Sequence, residues 1–462
     1  MITRIEVNGF KTLSEFSLDF KPGLNILIGP NGAGKTNLVS FFEFLANLVE
    51  VEASEATSRV GGAGAVFRRL GADNYEKMIT VQAYGCVSIP ERAPQAGRTK
   101  RDERDRFIRY EYGFELQFPE SRDAVLFSKQ FLKMSMAKEF VTPRSADYRS
   151  LPWQVEIVAS LDSEGVPKAS VKKLEGPFFD LPVSSSKNAK DEAKNLEAFL
   201  TAMLADNMSL IASLPRFSYT LWLFAEDLRA GRVYNIVPSR IKLPEDSAKP
   251  SGIDRDGSGL SATLYAIQRS KEPEDMGPWG YYGARPRRPR EFTEATLDQL
   301  RSLLRIVNSS IADFSVSNDP FDNQLRVRFQ IRSGDYEATV PLALMSDGTL
   351  KWIALVTAAL TTRSVFSIEE PENYLHPQMQ GQLVGILREI LFRENEYRMT
   401  LMTTHSETLL NQCLPDELVI VGLDNGRTTA VRCSNAQEVM EEIHRTGFGL
   451  GYYYVTNALQ DM

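Results

Sequence analysis

Cysteine is almost missing from this chain: Cys86, Cys413 and Cys433 are the three in 462 residues. Thiols so few and so scattered exclude a disulfide framework and a cysteine-built metal cluster, and they suit a reducing cytoplasm. Histidine is as rare, also at three. No uninterrupted apolar run is long enough to cross a bilayer. The amino end lacks a charged leader followed by an apolar core and a small-residue cleavage site, so export is not expected. Positive charge is not in excess: 53 Lys+Arg stand against 60 Asp+Glu, a formal charge of −7. That balance argues against a protein coated in nucleic acid, although it leaves room for a local basic surface. Apolar heptads are nowhere sustained, which excludes a long coiled-coil arm, and no repeat of fixed period is present.

What remains is an ordinary globular composition, 43% hydrophobic and 24% charged, with length for two or three domains or one large core interrupted by an insertion. Residues 1–50 and 340–425 carry the strongest apolar patterning and read as two halves of one nucleotide-binding core around a less regular middle. Strands are expected at 2–7, 16–20, 78–84, 109–118, 154–161 and 324–331, several with the period-two alternation of a half-exposed antiparallel sheet. Helices are expected at 35–50, 191–208, 221–229 and 294–311, and surface loops at 50–64, 86–105 and 244–258. Two basic clusters stand out: Arg98, Lys100 and Arg101, and Arg285, Arg287, Arg288 and Arg290 spaced by Pro286 and Pro289. Either is a solvated loop or a track for phosphates or an acidic partner.

The segment Gly29-Pro30-Asn31-Gly32-Ala33-Gly34-Lys35-Thr36 satisfies the Walker A pattern directly after the apolar run Leu24 to Ile28. Glycines let the backbone curl around phosphates, and successive N–H groups form an anion nest at a helix start. Lys35 is suited to reach the β- and γ-phosphates of ATP, and the Thr36 hydroxyl to ligate Mg2+. A second apolar strand, Val365 to Ile368, leads into Glu369 and Glu370 in the manner of a Walker B segment. Glu369 is placed to hold Mg2+ through its water shell and Glu370 to polarise the attacking water, because phosphoryl transfer requires charge stabilisation and positioning at different points. His405 ends a further strand-like run and, with His376, flanks the acidic strand. Met345-Ser346-Asp347-Gly348-Thr349 opens an apolar helix. It is an N-cap and equally an anion site, with Lys351 nearby.

The order GPNGAGKT, MSDGT, IEEPENYLHP, TTHS, after an opening IEVNGFKTL, resembles the ABC-type ATPase heads of the SMC, RecF and OLD families, closely over 1–50 and 340–425 and loosely over most of the chain. The resemblance implies an α/β fold: a P-loop core with a mixed sheet flanked by helices, plus an antiparallel β region and an insertion. The core halves would be 1–120 and 336–462, with the insertion at 121–335. It implies that Asn31 to Thr36 cradle ATP, and that Glu369 is the Walker B acid, Glu370 the catalytic glutamate and His405 the switch histidine. Ser346, Asp347 and Gly348 would form the signature loop that completes a second subunit's site, so that two chains sandwich ATP, with 373–377 in the D-loop at the same contact. Gln82 is the candidate Q-loop glutamine and metal contact. Glu369 departs from the usual aspartate, a longer acid that would shift the metal, while the glycine-poor MSDGT fits the SMC-like branch better than the transporters.

The stretch after His405 is too short for the Toprim nuclease of OLD proteins. Its aromatic end, Gly447 to Tyr454, either docks a partner or packs on the core. The resemblance, with no effector domain in view, implies a cytoplasmic ATPase without its own nuclease, a sensor or scaffold controlling a separate effector nuclease through oligomer assembly. The ATPase subunits of the PARIS and Septu anti-phage systems are of this kind. The alternative is a RecF-like DNA-binding ATPase in repair. A third reading, a structural nucleotide-binding protein, is opposed by the intact Glu370.

Overall fold

A computed structural model describes residues 1–71, 74–89, 106–118, 124–175, 189–216, 219–229, 231–269, 292–362, 365–391, 397–433 and 435–456. Both basic clusters, Arg98 to Arg101 and Arg285 to Arg290, lie outside the described residues. The chain divides into a first unit, Met1–Arg232 with Leu391–Leu401 and Asp416–Ser434, and a second, Val233–Ile390 with Met402–Pro415 and Asn435–Met462. No described helix is long and apolar enough to cross a membrane.

The first unit contains a seven-stranded antiparallel sheet in the order Phe16–Asp19, Ile2–Asn8, Met78–Ser88, Phe107–Gln117, Leu126–Ala137, Val155–Leu161, Pro167–Leu174. Alternation accounts for the third strand: Ile79, Val81 and Ala83 are buried while Thr80, Gln82 and Tyr84 are partly exposed. The last strand starts at Pro167 and carries Lys168, Lys172 and Lys173, features that discourage pairing at a sheet edge. In the central strand, Tyr110 and Tyr112 are fully buried, and each hydroxyl has a partner: Tyr110 donates to Asp227 Oδ2 at 2.5 Å and Tyr112 to Gln130 Oε1 at 3.0 Å.

Asp227 also faces the Met1 ammonium at 3.2 Å, with both groups buried. Alanine there would strand a buried cation and a buried hydroxyl. Asp227→Ala should therefore lower unfolding free energy by about 3–5 kcal/mol, read in a urea titration, whereas a surface change such as Glu164→Ala should lie within about 0.5 kcal/mol of wild type.

The same unit holds the strand that leads to the phosphate loop. Gly23–Ile28 is buried at all six positions, as expected of a parallel strand covered on both faces. It pairs in parallel with Leu418–Asp424, Leu27 opposite Val419, and that strand pairs antiparallel with Arg427–Arg432. The helix Lys35–Glu50 buries Phe41, Phe42, Phe44, Leu45 and Leu48. Residues 50–64, expected as a loop, instead form helices Ala53–Arg59 and Ala63–Val66. The Glu52 carboxylate supplies the missing start signal, accepting from the N–H groups of Glu55 at 2.7 Å and Ser54 at 3.0 Å.

In the second unit, Ile311–Asp319, Gln324–Ser333 and Tyr336–Pro341 form an antiparallel ribbon with the short Glu245–Asp246 strand. The helix expected over 294–311 ends at Val307, because Asn308 turns the chain and Ile311 already pairs with Ile331. The helix Asp347–Thr361 is buried from Thr349 to Ala359. Its Trp352 indole donates to the Leu303 carbonyl at 3.3 Å, pinning it to the helix Glu294–Val307.

Candidate nucleotide site

The phosphate-loop residues lie in the first unit. Gly29, Gly32 and Gly34 take φ of 150°, 81° and 102°, conformations open to glycine. The helix Lys35–Glu50 starts from Gly34 with no side-chain cap, which leaves its first N–H groups for a ligand. Asn31, Gly32 and Thr36 are exposed; Ala33 is buried beneath them. Lys35 is buried, and its ammonium donates to the carbonyls of Gly29 at 2.8 Å and Pro30 at 3.0 Å. Thr428 seats the loop from beneath: a Cβ on Gly34 would lie 2.0 Å from Thr428 Oγ1. That hydroxyl is itself 2.6 Å from Thr12 Oγ1, which accepts from Asn37 Nδ2 at 2.7 Å.

Gln82 stands within Met78–Ser88, opposite Glu6 and Gly113. Its Oε1 accepts from the Tyr84 hydroxyl at 2.8 Å, a local partner for the residue suggested as a metal contact.

The second unit carries the paired acids, His405 and the candidate signature residues Ser346, Asp347 and Gly348. The strand Val365–Glu369 delivers a nearly buried Glu369, whose Oε2 accepts from Arg255 at 2.9 Å. Glu370 follows with φ of 43° and its backbone N–H on the Thr403 carbonyl at 3.1 Å. Its exposed carboxylate is held through Oε2 by Asn373 Nδ2 at 3.0 Å. His405 N donates to Glu372 Oε1 at 2.8 Å, so the histidine strand and the acidic turn are tied together. His376 has a local task, its Nδ1 accepting from Gln378 N at 3.3 Å at the start of the helix Pro377–Leu391. Ser346 is an N-cap, accepting from Thr349 N at 3.3 Å, and Asp347 pairs with Lys242 at 2.6 Å. Gly348 lies under the Tyr374 carbonyl, which a Cβ would approach to 2.8 Å. The structure therefore brings Ser346, Gly348, Glu370 and His405 into one connected neighbourhood.

Three contributors are absent from the sequence reading, Arg255 on Glu369, Lys242 on Asp347 and Thr428 under Gly34, and a fourth, the carboxyl-terminal aromatics, is there as a partner dock or core packing. Within the second unit, Gly451 N donates to Asn411 Oδ1 at 2.8 Å and Tyr453 is buried, while Phe448 and Tyr452 stack at 4.2 Å and stay largely exposed. No local pattern marks the first three; each is a partner supplied from far along the chain.

Lys351, 1% exposed, donates to the Glu370 carbonyl at 3.1 Å. Burial pushes its ammonium down from 10.5 to about 8, partly offset by Glu372 and Glu370. Between those values the unfolded chain binds more protons, so this group makes stability rise with pH; its cost is fully present below about 8 and relieved above 10.5. Denaturant titrations at the two ends of that window should show a rise larger by about 3 kcal/mol for wild type than for Lys351→Met.

The family described as "AAA ATPase domain" matches residues 1–200. The one described as "AAA domain, putative AbiEii toxin, Type IV TA system" matches 281–411. The DNA replication and repair protein RecF of Bifidobacterium longum subsp. infantis is 47% identical over 45 residues, 10% of this chain and 11% of that protein. RecF of Lactococcus lactis subsp. lactis is 48% identical over 42 residues, 9% of this chain and 12% of its own length. The matched stretch thus spans about a tenth of these curated relatives. Among solved structures, an SMC head bound to the C-winged helix domain of ScpA aligns at 13% identity with a TM-score of 0.44, covering 95% of this chain and 99% of that one. The SMC head domain from Thermotoga maritima aligns at 10% identity with a TM-score of 0.38, covering 93% and 98%. With AAA ATPase family models matching residues 1–200 and 281–411, a glycine-rich loop after a buried strand and paired acids at a second strand end, the chain is similar to ABC-type ATPases of the SMC/RecF-like group.

Proposed function

We propose that the chain binds and hydrolyses Mg-ATP, and that its nucleotide cycle assembles and releases a two-fold pair that controls a separate effector, a nuclease, in bacterial anti-phage defence. The observation that carries the defence role is the match of residues 281–411 to a family described through the AbiEii toxin and a type IV toxin–antitoxin system. Each donor proposed for Mg2+ suits a hard cation by its own chemistry: the Thr36 hydroxyl is exposed, and Glu369 accepts a cation, the Arg255 guanidinium, on one oxygen. When bound, Mg2+ neutralises phosphate charge. Lys35 turns from the loop carbonyls to the phosphates, the N–H groups after Gly34 receive phosphate oxygens, and Glu370 takes a proton from the attacking water. His405 contacts the γ-phosphate, and Ser346 to Gly348, at the capped start of the helix Asp347–Thr361, engage the nucleotide of a second copy.

The effector arm is tested by purifying the chain with the products of its neighbouring genes. Co-elution of a nuclease that ATP loads or releases supports it, and a chain that elutes alone under both conditions counts against it. A second reading, a DNA-binding repair ATPase, is favoured by the RecF matches. Turnover stimulated by duplex DNA and falling steeply with salt would select that reading instead.

A further inference from the structure

Two non-glycine residues of the acidic turn hold left-handed backbone: Glu370 at φ 43° and Tyr374 at φ 70°. Each costs about 1–3 kcal/mol and persists only where its surroundings leave no alternative. The helix that begins at Ser346 touches the turn at both points. Gly348 packs against the Tyr374 carbonyl, and Lys351 donates to the Glu370 carbonyl while its ammonium sits 5.7 Å from the Tyr374 ring centre. Further ties come from Thr403 on Glu370 N, from Asn373 within the turn, from His405 N on Glu372 Oε1, and from Gln380 Nε2 on the Glu372 and Leu375 carbonyls. Lys351 is the anomaly in this set. Its helix neighbours Leu350, Trp352, Ile353 and Ala354 are buried apolar residues, and leucine or methionine would pack there without the cost of desolvating an ammonium.

We propose that Lys351 ties the signature helix to the turn carrying Glu370 and is a positioning residue for hydrolysis. Engagement of Ser346 to Gly348 then reaches the turn that carries Glu370 through the partly buried hydrogen bond from Lys351 to the Glu370 carbonyl. The inference rests on the reading of Glu370 as the base for water attack.

The test compares Lys351→Met, Lys351→Arg and wild type in binding of a fluorescent ATP analogue and in steady-state ATP turnover. Lys351→Met should bind the analogue within about threefold of wild type while kcat falls about 10- to 100-fold, the loss expected when a catalytic group is misplaced by around an ångström. Lys351→Arg should recover several-fold, since it keeps the donor and charge. On a Glu370→Gln background Lys351→Met should lower turnover by less than about twofold, because residues acting as a unit do not add. If Lys351→Met does not fold, Lys351→Gln carries the same comparison. The proposal is overturned by a kcat within twofold of wild type, by parallel loss of binding and turnover without recovery in Lys351→Arg, or by a full additive loss on the Glu370→Gln background. A Glu370→Gln enzyme that turns over like wild type would place the fault in the reading of Glu370 itself.

Discussion

Glutamine at position 370 should reduce ATP turnover by about a hundred- to ten-thousand-fold, the range lost when a general base is removed, while leaving ATP bound. Glutamine keeps the size of the side chain and can still meet Asn373, which holds Glu370 Oε2 at 3.0 Å, so the strained turn should survive. What disappears is the negative oxygen able to take a proton. A variant that binds and does not hydrolyse should accumulate the ATP-bound assembly. Its solution mass in Mg-ATP should therefore be twice that without nucleotide, read by light scattering. Ser346→Arg on the same background should abolish the doubling. The Ser346 hydroxyl caps Thr349 N and sits beside Thr349 Oγ1 at 2.8 Å, and a long cation there removes the cap and fills the helix start. A mass already high and indifferent to ATP would describe a standing scaffold, and the search would move to what it holds.

Gly34→Ala should eliminate nucleotide binding altogether. The added methyl would sit 2.0 Å from Thr428 Oγ1 and 2.9 Å from its Cγ2, at a φ of 102°. Thr428 is buried and tied to Thr12 at 2.6 Å, so it has no open space to retreat into. The loop must move instead, and Lys35 and Thr36 follow it directly. Wild type at an ATP concentration a hundred times Kd should gain about 2.7 kcal/mol of stability, seen as a rise in Tm with Mg-ATP. Gly34→Ala should show no such rise, at a fold cost of about 1–3 kcal/mol. Adding Thr428→Ala should restore part of the shift by removing the clash while leaving the backbone penalty. An unchanged ATP-dependent Tm in Gly34→Ala would mean that the loop is not the phosphate cradle.

Features whose physics is local were legible before the fold was known. The strand, glycine-rich turn and helix over Gly23–Ile28 and Lys35–Glu50 are contiguous, so their order alone specifies a curled backbone before a helix start. Period-two alternation placed the strands Ile2–Asn8, Met78–Ser88 and Val155–Leu161. Leu126–Ala137 escaped notice because polar residues lie on both faces, Gln130 being fully buried to meet the Tyr112 hydroxyl, which breaks the pattern. The helix Ala53–Arg59 was missed because its cap is a glutamate, a weaker start signal than serine or aspartate.

The sequence by itself determined which chemistry is proposed for the chain: the candidate phosphate loop, paired acids, signature serine and switch histidine are strings of residue types read from their order and spacing. Tertiary structure decided which side chains hold those groups. Arg255 meets Glu369 across 114 positions, Thr428 meets Thr12 across 416, and Lys351 lies 19 positions before the carbonyl it binds. Such partners are chosen by strand register and helix packing, which join residues without regard to their separation along the chain, so no local period can announce them.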